Sequence, residues 1–171
     1  MLSPVVDSSL IKLRYYHQEH FLQLQSFYLT PSQLKFTVLP TDVLAIAIKD
    51  PYRFPIVIEL KGVPVGFFIL HHGPEVKEYT NNSQAILLRA FSVNLNDQGK
   101  GYATNALTEL PQFLKREFPD FNEVVLAVNK GNKTAINLYK KLGFHYQGRK
   151  RYGFMGLQYI LHFSLKLKRR I

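Results

Sequence analysis

The segment Gln98-Gly99-Lys100-Gly101-Tyr102-Ala103-Thr104 sets two glycines and an alanine between an apolar stretch ending near Val93 and a helical pattern beginning near Gly101. Small residues at a helix start let backbone N–H groups converge without side chains in the way, and the helix dipole adds positive potential, which suits a phosphate or pyrophosphate. No Gly-Lys-Ser/Thr follows as in a Walker loop, and the glycines miss the G-x-G-x-x-G spacing of a dinucleotide fold. An ordinary strand-to-helix turn would read the same way. A second group is Asn132, Ala135, Tyr139 and Leu142, whose offsets of three and four put them along one helix face. Ala135 and Leu142 turn that face to the core, so the Tyr139 hydroxyl needs a partner. It could bond a carbonyl, or hold a proton for a reacting group.

The elements that must position these groups follow from periodicity. Residues 10–15 alternate like a short strand, a mixed helical region covers 17–27, and Thr41 and Asp42 offer a helix start for 43–49, closed by Pro51. Residues 56–60 and 63–70 read as strands across a Lys61-Gly62 turn, and 84–93 as a third strand. A helix over 101–118 carries apolar residues at spacings of three and four, with Pro111 expected to kink it or thin its hydrogen bonding. Residues 124–128 form a buried strand, 132–142 a helix with Asn132 at its N-cap and Gly143 at its stop, and 144–151 with 157–167 a hairpin. A meander followed by strand-helix-strand-helix-strand predicts an α/β domain with a mixed sheet, mostly antiparallel and partly parallel, with helices on its faces. Without repeats or a linker, residues 1–171 read as one domain.

Composition narrows the function. The chain lacks cysteine, so it has no disulfide framework, thiolate metal site or catalytic thiol. It shows neither an apolar run long enough to span a membrane nor an export signal at its start, so a cytoplasmic protein without a membrane partner is expected. Residues 1–97 carry eight Lys and Arg against eight Asp and Glu, whereas residues 98–171 carry fourteen against four. The second part therefore suits an anionic partner, which could be nucleic acid, anionic lipid or a phosphorylated cofactor.

Taken together, the two motifs resemble those of the GNAT superfamily of acetyl-CoA-dependent N-acetyltransferases. The pattern Q/R-x-x-G-x-G/A is matched by Gln98, Gly101 and Ala103, and N-x-x-A-x-x-x-Y-x-x-x-G-F by Asn132, Ala135, Tyr139, Gly143 and Phe144. The resemblance covers residues 55–167, and Leu88-Arg89-Ala90-Phe91-Ser92-Val93 looks closest to the polyamine and small-molecule branch. It implies a sheet of six to seven strands in which the strand before the loop is bulged and splays from a parallel neighbour. Acetyl-CoA would be the co-substrate: backbone near Phe91 and Val93 would take its pantetheine arm, and amides of Gln98, Gly99, Lys100, Gly101, Tyr102, Ala103 and Thr104 its pyrophosphate. Asn132 would contact the pantetheine or fix the helix start, and Tyr139 would protonate the departing thiolate.

One position departs from the family. Many members carry a glutamate base four residues before the valine matched by Val93, and here that residue is Arg89. The base is left unassigned, with Glu59, His71 and His72 nearby. The expected reaction is acetyl transfer to a primary amine, whether polyamine-like, another small molecule or a peptide, by direct attack in a ternary complex. By analogy the amine enters opposite acetyl-CoA, as a cation, near acidic residues such as Glu19, Glu75 and Glu78. Two other readings stay open: a nucleic-acid-binding module using Arg149-Lys150-Arg151-Tyr152-Gly153-Phe154, and a CoA-binding protein with little turnover. A metal is not expected, and a homodimer is left open.

Overall fold

The computed structural model describes residues 10–166, so Leu167 and the basic residues after it lie outside the described part. Seven strands form one sheet in the order β1-β2-β3-β4-β5-β7-β6: β1 (Ile11–Tyr15), β2 (Arg53–Leu60), β3 (Val63–His71), β4 (Ala85–Val93), β5 (Glu123–Asn129), β6 (His145–Gly153) and β7 (Gly156–Ser164). Every neighbouring pair is antiparallel except β4 with β5. That parallel pairing is short, running only from Ala85↔Glu123 to Leu87↔Val125. Beyond Leu87 the two strands part, as the resemblance implied.

Five α-helices are found among the described residues: α1 (Phe21–Gln25), α2 (Pro31–Leu34), α3 (Pro40–Lys49), α4 (Tyr102–Glu117) and α5 (Lys133–Lys141). On one face α4 buries Ala106, Leu107, Leu110, Phe113 and Leu114 against Ile58, Phe68, Ile86 and Leu126, and α5 adds Tyr139. Each fully buried leucine there is worth roughly 1.5–3 kcal/mol. The other face carries Leu24, Leu44 and Ala47 of α1 and α3 over Val57, Phe67 and Ile69, and beside them a 3-10 turn at Pro74–Glu78 over Leu87, Val125 and Ile160. Strand β7 shows why both faces matter: Leu161 packs under α4 and α5, while Ile160 packs under the 3-10 turn.

Two helix starts differ from the sequence reading for the same reason. Helix α3 begins at Pro40 rather than after it, because the first helical position has no intrahelical use for an N–H. Helix α2, absent from the sequence reading, begins at Pro31 behind Thr30, whose hydroxyl accepts from Gln33 N at 3.3 Å while Gln33 Oε1 accepts from Thr30 N at 3.0 Å. Pro111 lies inside α4 without dividing it.

Candidate active site

The parting of β4 from β5 opens a cavity of about 610 Å³ that reaches both faces of the sheet. Leu126, Val128, Leu138 and Tyr139 line it on the α4/α5 side, and Phe36, Thr37 and Ala90 on the other. Along β4, Leu88, Arg89, Ser92 and Val93 pair with β3 on one edge, and no residue from Leu88 to Val93 has a strand partner toward β5 among the described residues. That edge can bond an extended ligand as an added strand would.

A bulge shapes the edge. Phe67 and Ile69 of β3 lie opposite Ser92 and Arg89, so two steps on β3 are matched by three on β4. Ala90 absorbs the extra residue at φ 55°, a left-handed conformation that L residues avoid by about 1–2 kcal/mol. Phe91 then turns toward Phe68, with ring centroids 5.8 Å apart. Thr37 Oγ1 donates to the Phe91 carbonyl at 3.2 Å, tying the segment after α2 to the bulge.

The glycine loop follows. Gln98 Nε2 donates to the Val93 carbonyl at 2.8 Å, and Gln98 Oε1 accepts from Gln33 Nε2 at 2.7 Å, so Gln98 joins loop, strand end and α2. Gly99 and Gly101 have φ values of 74° and 82°, and no protein atom lies within 4 Å of a Cβ built on either. Their need for glycine is conformational, and the space beside them is open to a ligand. Tyr102, Ala103 and Thr104 continue the lining into α4. Lys100 does not line it; its ammonium stands 4.0 Å from Asp97, so only its backbone belongs to the loop.

Asn132 and Tyr139 line the cavity from α5. Asn132 Oδ1 accepts from Ala135 N at 3.3 Å and thereby fixes the helix start. Tyr139 is buried against Phe144, ring centroids 5.5 Å apart, and its hydroxyl makes no hydrogen bond among the described residues. Burial pushes its phenol well above the ordinary value, so the hydroxyl keeps its proton and can only donate or accept a hydrogen bond.

None of the three residues weighed as a base lines the cavity. Glu59 is buried beside His20, whose Nδ1 accepts from His17 N at 2.9 Å; Nε2 therefore carries the proton and donates to Glu59 at 2.8 Å. His72 stacks on Phe54, and burial lowers its pKa. His71 is buried with Nδ1 3.2 Å from Arg89 Nη1. A guanidinium only donates, so Nδ1 accepts and the proton sits on Nε2. Burial above all, then the Arg53 and Arg89 charges, lowers the His71 pKa against the opposing pull of Glu75 and Asp50, which keeps the ring neutral near pH 7. The glutamates expected to meet the acceptor lie elsewhere: Glu75 pairs with Arg53 at 3.2 Å, Glu78 with Arg151 at 3.6 Å, and Glu19 is exposed outside the lining.

Residues invisible to sequence reasoning complete the site: Gln33, Phe36, Thr37, Ser92 and Ala127. The Thr30-Pro31-x-Gln33 capping pattern was a usable signal for α2. Nothing local marks Thr37 or Ala127. The basic hairpin is partly consumed by the fold, since Arg149 donates to the Lys77 and Glu78 carbonyls and Arg151 lies 4.6 Å over the Tyr79 ring.

A model of the acetyltransferase (GNAT) family matches residues 15–144. A Bacillus subtilis (strain 168) protein named uncharacterized N-acetyltransferase YbbJ is 46% identical over 156 residues, 91% of this chain and 98% of that protein. A probable spermine N(1)-acetyltransferase of Bacillus subtilis subsp. natto (strain BEST195) is 29% identical over 121 residues, 71% of this chain and 78% of that one. Among solved structures, the aminoglycoside acetyltransferase AAC(6')-Ib in complex with coenzyme A and kanamycin superposes with a TM-score of 0.71 at 18% identity, covering 90% of this chain and 94% of that one. At that identity the likeness is one of fold.

Proposed function

The chain belongs to the acetyltransferase (GNAT) family, and from that premise we propose that it moves acetyl from acetyl-CoA to a small primary amine by direct attack, with both substrates in the cavity at once. The observation that carries this reading is the parting of β4 and β5 beyond Leu87, which opens one cavity to both faces of the sheet. Acetyl-CoA fits the α4/α5 side. The glycine loop offers amides to its pyrophosphate, the unpaired β4 edge offers backbone to its pantetheine arm, and Asn132 and Tyr139 face it from α5. The amine comes from the opposite face, past Phe36, Thr37 and Ala90.

In the transfer, the nitrogen lone pair forms a C–N bond to the acetyl carbonyl carbon as the C–S bond breaks; the nitrogen then gives up its proton to solvent, and CoA leaves as a thiolate that takes a proton from solvent. The β4 edge aligns the thioester, and a backbone N–H there can meet the oxygen as it gains charge. Tyr139 donates a hydrogen bond to the sulfur as negative charge develops. Its raised pKa suits a donor that never ionises. The described lining supplies no free base, because its carboxylate, Asp97, is held by Asn94 at 3.3 Å and faces Lys100. The amine therefore reacts after losing its ammonium proton to solvent. Free CoA release from acetyl-CoA, measured across amines of different charge, tests the reading: at least one amine should raise the rate well above hydrolysis, and a flat panel would refute it.

A further inference from the structure

Two polar side chains on one face of β4, Arg89 and Ser92, line the cavity with hydrogen-bonding capacity that the described residues do not use. Both lie opposite residues of β3, Ile69 and Phe67, that pack under α1 and α3, so both emerge on the face from which the amine enters. Ser92 is buried and its Oγ has no hydrogen-bond partner. Arg89 is half-buried, spends one N–H on His71, and makes no ion pair among the described residues. The acids that could neutralise it are taken: Asp50 and Glu75 hold Arg53 at 3.0 and 3.2 Å, and Asp97 faces Lys100. A half-buried guanidinium with idle donors beside a cavity is a receptor for an anion. His71, buried behind it, fixes one edge of the guanidinium and leaves the rest to the cavity.

We propose that Arg89 determines acceptor specificity by binding a carboxylate on the amine substrate, so that the acceptors are small primary amines bearing a carboxylate, of the amino-acid type. The proposal rests on the acetyl-transfer reading and names the substrate class of that site. Planar guanidinium and planar carboxylate pair through two parallel N–H···O bonds, which fixes the distance and direction of the amine from the thioester. Ser92 lies on the same face, its hydroxyl buried beside the cavity without a partner. The pairing also helps the chemistry. It removes the negative neighbour that keeps an amino-acid ammonium protonated, and the guanidinium itself favours the neutral amine. A polyamine would meet a like charge at Arg89 and no free carboxylate in the described lining.

The test compares amino acids with their carboxamides and with spermidine, as acetyl acceptors and, by calorimetry, as ligands of the CoA-saturated protein. The best amino acid should exceed its carboxamide by about 30-fold in kcat/KM, with Arg89→Gln narrowing that gap to about threefold and Arg89→Lys retaining part of it. Carboxamides or spermidine outperforming amino acids in the wild-type protein would overturn the proposal without any variant. Arg89-dependent binding of an amino acid without turnover would support the carboxylate site and refute the acetyl-transfer reading. Absence of both turnover and binding with amino acids would overturn the carboxylate site.

Discussion

The two ends of the cavity are built from the chain in opposite ways. The end proposed for acetyl-CoA uses contiguous stretches, residues 98–104 and 132–139, whose glycine φ angles and Asn132 N-cap are local properties. The end proposed for the acceptor collects Thr37, Ala90, Arg89 and Ala127 from separate segments, with His71 of a neighbouring strand behind Arg89. A pyrophosphate needs only converging backbone amides, so a short sequence can specify its cradle. An acceptor needs side chains in three dimensions, so its site depends on register and on the bulge at Ala90. The first end can stay constant through a family while the second changes substrate.

The largest expected effect breaks the first end alone. Gly101→Val should weaken acetyl-CoA binding at least about 100-fold in calorimetry, because valine is strained at φ 82° and its side chain enters the open space where phosphate would approach. The fold should survive, with roughly 1–2 kcal/mol lost to the left-handed conformation. Unchanged affinity would make the loop an ordinary turn.

Tyr139→Phe tests where the two ends meet. It should lower kcat by about 10²-fold, as loss of one hydrogen-bond donor to developing charge does, with little change in KM for acetyl-CoA, because the hydrogen bond to sulfur strengthens only as charge develops. The ring keeps its packing on Phe144, so a thermal melt should stay near wild type. Wild-type kcat would return Tyr139 to a structural role.

The smallest effect belongs to the acceptor end and is read in stability. The folded protein holds His71 and His72 below the ordinary imidazole pKa, so below about pH 6.5 the unfolded chain binds more protons. Stability from these groups is complete above that pH and declines as pH falls through it. Arg53 and Arg89 press on His71 against Glu75 and Asp50, so His71→Asn should flatten the dependence of Tm on pH between about 5 and 7. Parallel curves for variant and wild type would contradict this.

The same division governs what could be read from the sequence. The strand order, the helices over 102–117 and 133–141, the Asn132 cap and the burial of Tyr139 rest on short-range periodicity and appear as expected. The tie between Gln98 and Gln33 spans 65 residues, and two of the three carboxylates expected to receive a cation, Glu75 and Glu78, pair with Arg53 and Arg151 through contacts that no local pattern encodes. Arg89 was visible as an odd residue on the bulged strand. Its meaning needed His71, eighteen positions away and two registers along β3 from Ile69, the residue opposite Arg89.

The central claim is that one slot through the sheet holds acetyl-CoA from one face and the amine from the other at the same time. Initial rates measured with both substrates varied test it most directly. A ternary complex predicts double-reciprocal lines that intersect to the left of the rate axis, with CoA competing against acetyl-CoA and not against the amine. Parallel lines, with acetyl left on the protein when the amine is withheld, would contradict it.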